Sequence, residues 1–187
     1  MLMSANDQAM KEQMSIILNS KSSGSDLIAY FSRLPEKGLR RAIKVFSDIY
    51  PDKPIIGNDQ LGFIEYMLST PKIVMQDSFS NFVRSISAIN YSAKQKEKLM
   101  DTTKNSISIL SGSLTFEFDG FIARLLDKEN LIEYVKWMVN HKDRLVLMRA
   151  ADILRYEDFR SISVDAVDSL TQILQEKLQL SQPPANQ

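Results

Sequence analysis

One histidine, no cysteine and 23 Asp+Glu residues set the side-chain chemistry open to this chain of 187 residues. Without cysteine there is no disulfide, thiolate zinc site, iron–sulfur cluster or sulfur nucleophile. A single imidazole excludes every multi-histidine metal site. To act as a general base, His141 needs a carboxylate to orient it. Its neighbours at helical spacing are Trp137 and Tyr134, and Glu133 lies eight residues back, about 12 Å along a helix axis. A histidine near a helix C-terminus is favoured there by the macrodipole, and that is the simpler reading. Two carboxylate pairs suggest acid–base work or a hard cation. Glu117 and Asp119 flank Phe118, and Asp165 and Asp168 sit one turn apart in a first helical turn, where acids are favoured anyway. The six glycines never cluster, so no phosphate-cradling loop is expected, and no nucleophile-elbow or metalloprotease motif occurs. The sequence therefore predicts no catalytic residue, no metal and no cofactor.

Three features rise above that background, and all point to binding. Tyr134, Trp137 and His141 fall at i, i+3 and i+7, about 130° around the helix from the stripe of Leu131, Val135 and Met138. Tryptophan and tyrosine are favoured anchors at interfaces. Lys37, Arg40, Arg41 and Lys44 form a basic stripe opposite Leu39, Ile43 and Phe46, diluted by Glu36, Asp48 and Asp52. Such a stripe suits phosphates or an acidic partner. Met10, Met14, Ile17 and Leu18 make an apolar face near the N-terminus, with the spacing used in helix-in-groove docking. The mixed charge of Asp7, Lys11 and Glu12 disfavours a membrane surface.

The elements that must position these residues are helical almost throughout. An amphipathic arm over residues 1–20 is followed by a Ser/Gly link over 21–25, read as flexible. A single helical domain is expected over 26–180, and a disordered tail over 181–187. Ser25, Asn58, Asp127, Asp143 and Ser163 are the expected helix caps, with Thr70-Pro71 as a cap followed by proline at the first helical position. Ser92-Ala93-Lys94-Gln95 matches a capping box. From Pro71 a helix is expected to run on through Ile89, and from Ala93 another to Gly112. Residues 114–118 alternate like a strand but also fit a helix; with no partner strand, helix is preferred. Short matches such as Arg-Ser-Ile-Ser at 84–87 and 160–163 share no common period with others. The expected architecture is all-α, nine or ten short helices in a compact bundle or a short superhelix of helix pairs.

The 23 Lys+Arg residues balance the acids to zero net charge. This argues against a dedicated nucleic-acid coat protein, while a pI near 6.6 favours association with a partner or itself. No run approaches the ~20 apolar residues of a membrane span, and no signal peptide is recognised, so a cytoplasmic location is expected. The functional expectation is a non-enzymatic interaction module, an adaptor or accessory subunit that binds a protein partner through apolar anchors. A nucleic-acid-associated regulator using the basic stripe is the alternative, and homo-oligomerisation is open.

Overall fold

A computed structural model describes residues 5–50, 57–112, 116–155 and 163–180. Those residues form helices and no strand: α1 (Ala5–Leu18), α2 (Ser23–Ser32), α3 (Glu36–Ile49), α4 (Asn58–Ser69), α5 (Pro71–Val74), α6 (Phe79–Ile86), α7 (Ala93–Asn105), α8 (Ile107–Ser111), α9 (Phe116–Leu125), α10 (Lys128–Val139), α11 (Arg144–Arg155) and α12 (Val164–Leu180). The all-α multi-helix expectation holds, and Phe116–Phe118 are helical. The expected tail, Asp52 and most of the loop around it lie outside the described residues. The sequence leads one to expect a single body over 26–180. By its contacts the chain falls into two compact units, Met1–Phe121 and Ile122–Gln187, with the division inside α9.

In the first unit α2 packs on α4, α3 on α6, and α4 on α7, while α1 lies against both α2 and α3. The core is aromatic. Phe46 of α3 is fully buried, and its ring centroid is 4.5–6.2 Å from those of Phe31, Tyr50, Phe63 and Phe82. Rings in this range prefer offset-stacked or edge-on arrangements, each adding about 0.5–1.5 kcal/mol beyond area burial. Leu39, Ala42, Ile43 and Phe46 line the inner face of α3, which leaves the basic stripe facing outward.

Several local expectations change. The link is not a flexible tether. Ser23 and Gly24 are buried residues of α2, and the hydroxyls of Ser20 and Ser22 both donate to Asp26, at 2.9 and 3.1 Å. Ser25 does not cap α2; the N-cap position is Ser22, whose side chain makes no capping bond. The cap comes from α4, where the Asp59 carboxylate accepts from the amides of Gly24 and Ser25 and from the Ser25 hydroxyl. Those bonds hold the Asp59 carboxyl below its usual pKa, the Ser25 hydroxyl contributing most, against a smaller opposing desolvation. Gly57, not Asn58, holds the N-cap position of α4. The helix expected from Pro71 is broken into α5 and α6, and the one ending at Gly112 is broken at Ser106. Apolar spacing persists across both breaks, so periodicity alone did not reveal them. The Ser92–Gln95 capping box is present in both directions.

In the second unit α10, α11 and α12 pack against one another in all three pairings. Val135, Met138 and Val139, with Val146 and Ala150, and with Val167, Leu170 and Leu174, are buried. Asp127, Asp143 and Ser163 each accept a backbone N–H in the first turn of the following helix, at 2.9, 2.9 and 3.3 Å. The far end of α10 is closed from α12. Lys177 donates to the Val139 carbonyl at 2.9 Å and to Asn140 Oδ1 at 3.0 Å, a cation where the helix dipole favours one.

Candidate functional site

Lys37, Arg40, Arg41 and Lys44 are all exposed on α3. Spacing of i, i+3, i+4 and i+7 puts them side by side on one face. They line a cleft of about 650 Å³, together with Asp7 of α1, Val45 and Asp48 of α3, Asp77, Ser78 and, from α6, Asn81. The Ser78 hydroxyl donates to the Arg40 carbonyl at 3.0 Å, which ties the start of α6 to α3 and fixes that wall.

The cleft is cationic with internal counter-charges. Arg41 Nε pairs with Asp7 Oδ1, both partly accessible. Arg40 meets Asp77 at 3.5 Å, with both side chains mostly in solvent, so that pair contributes little. Lys37 and Lys44 make no ion pair among the described residues. Among the described residues, four cations face three carboxylates, a formal surplus of one. Sequence reasoning located the stripe but not the carboxylates of Asp7 and Asp77, because they reach α3 from other elements.

The other predicted residues are placed differently. Met14 and Leu18 are buried against the chain's own helices, while Met10 and Ile17 are half-buried. The apolar face of α1 thus packs in cis, because burying it on α2 and α3 removes it from water without a partner. Tyr134 is also buried at 3% exposure, so it is core rather than a presented anchor. Trp137 and His141 are half-buried. The three rings form a continuous ladder: Tyr134 stacks on Trp137 at 5.7 Å, and Trp137 meets His141 edge-on at 5.6 Å. His141 Nδ1 accepts the Asp143 N–H at 3.0 Å, so the imidazole is held in the turn between α10 and α11.

Glu117 accepts from Arg84 at 2.6 Å, Asp119 is buried, and Asp165 and Asp168 are exposed. Among the described residues no cluster of three His, Asp or Glu side chains is placed to hold a metal ion. No described helix is long and apolar enough to cross a membrane. No protein-family model matches the chain, and no curated protein or solved structure matches it.

Proposed function

We propose that the chain is a helical interaction module, without catalytic activity, that binds an acidic segment of a partner protein in the cleft along α3. The observation that carries this reading is the row of Lys37, Arg40, Arg41 and Lys44 along an open cleft of about 650 Å³. Apolar anchoring by Met14, Leu18 and Tyr134 is not part of the proposal, since those side chains are buried. The carboxylates favour protein over nucleic acid as the partner. A phosphate track needs a run of cations to release its counterions, and here it would meet Asp7, Asp48 and Asp77. A peptide presents isolated carboxylates together with amide donors, and so complements both signs of charge. The same proposal places the module in the cytoplasm as an accessory subunit.

The test is fluorescence anisotropy with a labelled oligo-glutamate peptide and with single-stranded DNA and RNA, over a salt series. Wild type is expected to bind the peptide and to lose at least ten-fold in affinity when Lys37, Arg40 and Lys44 are all changed to Gln. Tighter binding of nucleic acid than peptide, with a steep salt slope lost in the same variant, would replace the proposal with the regulator reading. A triple variant that binds both the peptide and the nucleic acids like wild type would sink both.

A further inference from the structure

The cleft already contains a ligand-like group. Asp7 lies in the first turn of α1, lines the cleft and holds Arg41 through its carboxylate. It is the chemical group that an acidic partner would bring to the same guanidinium. The two halves of α1 are held unequally. Met14 and Leu18 anchor the C-terminal half by burial, whereas among the described side chains before Met14 none is fully buried. Asn6, Gln8 and Ala9 are exposed, and Asp7 and Met10 are half-buried.

We propose that the first turns of α1 are an internal competitor for the cleft, with the Asp7 carboxylate occupying Arg41 until a partner's carboxylate displaces it. This rests on the reading of the cleft as an acidic-peptide site. A tethered carboxylate acts at an effective concentration on the order of millimolar. The affinity of a free partner is then reduced by the fraction of time Asp7 occupies Arg41. An ion pair whose two side chains are both partly open to solvent contributes at most about 1 kcal/mol, so the brake is worth about two- to five-fold in partner affinity. A brake of that size is easily released by a partner that engages several cations together.

The experiment compares oligo-glutamate binding by full-length wild type, Asp7→Asn and Asp48→Asn, each with and without Arg41→Gln, with helix content checked by circular dichroism. Both single changes remove one negative charge from the cleft lining, and of these two carboxylates it is Asp7 that pairs with Arg41. Asp7→Asn is expected to tighten binding two- to five-fold, and that gain is expected to vanish in the Arg41→Gln background. The smaller electrostatic gain from Asp48→Asn is expected to persist there. If wild type binds and Asp7→Asn does not tighten binding, or if its gain survives Arg41→Gln, the competitor is overturned and the cleft reading stands. If neither wild type nor Asp7→Asn binds the peptide, the cleft reading fails and the competitor with it.

Discussion

Gly24 and Asp59 stand 35 positions apart, and the Asp59 carboxylate accepts the Gly24 amide hydrogen. One helix start thereby caps another. The approach is so close that a Cβ at position 24 would overlap the Asp59 backbone carbonyl. Glycine-to-alanine inside a helix is normally favourable by about 1 kcal/mol. At Gly24 the sign reverses, and Gly24→Ala is expected to destabilise the fold by about 1–3 kcal/mol, the usual cost of overpacking. Urea denaturation followed by circular dichroism checks it; an unchanged midpoint would remove the close approach.

Asp59→Asn keeps the side-chain shape and removes the charge. The loss is expected to be at most about 1 kcal/mol at neutral pH, the worth of a negative charge at a helix N-terminus, since asparagine can still accept one of the bonds. The folded-state pKa of Asp59 is depressed, chiefly by the Ser25 hydroxyl. Its contribution is therefore fully present above the unfolded carboxyl value of about 3.9, and it disappears as pH falls through the lower folded value. The gap between wild type and Asp59→Asn should be flat above about pH 5 and close below about pH 4. A gap that persists in strong acid would show that charge is not the cause.

Tyr50 is fully buried, and its hydroxyl has no hydrogen-bond partner among the described residues. Burial raises its pKa and keeps the phenol neutral. An unpartnered buried hydroxyl costs about 1–3 kcal/mol, so Tyr50→Phe is expected to be neutral or stabilising. The stacking on Phe46 at 4.5 Å survives the change. Tyr50→Ala, by contrast, is expected to cost about 3–5 kcal/mol through the cavity it leaves. Thermal melting of the two variants separates these effects.

Lys177→Met retains the aliphatic stem and removes the ammonium that closes the end of α10. Its expected cost is about 1 kcal/mol, from a charged hydrogen bond and the dipole together. Faster hydrogen exchange at the end of α10 is the accompanying signature. Unchanged exchange there would assign Lys177 no capping role.

The legible parts of the fold were those encoded within one turn or one helix. Asp127, Asp143 and Ser163 act on amides two or three residues away, so reading them needed no tertiary information. The Ser92–Gln95 box is equally local. Ser25 reads as a cap in the sequence, whereas the group that caps α2 comes from α4. The breaks at 75–78 and at Ser106 went unseen because the buried face continues through them: Ile73, Phe79 and Phe82, and Leu99, Thr103 and Ile107, are all buried. The same limit applies to the cleft. Four cations on one helix could be read directly, whereas Asp7 and Asp77 join them only after α1 and α6 have packed. In α1 the apolar spacing was right, but spacing cannot say whether the surface that buries it belongs to the same chain.

Trp137 is the only tryptophan in the chain, and it lies in the second unit. Its emission is therefore a private optical reporter for residues 122–187, while far-ultraviolet dichroism sums the helices of both units. Unfolding curves recorded both ways will coincide if the units melt as one cooperative body and separate if they do not. Because the native sequence supplies this contrast, the independence of the two units can be measured without attaching any label.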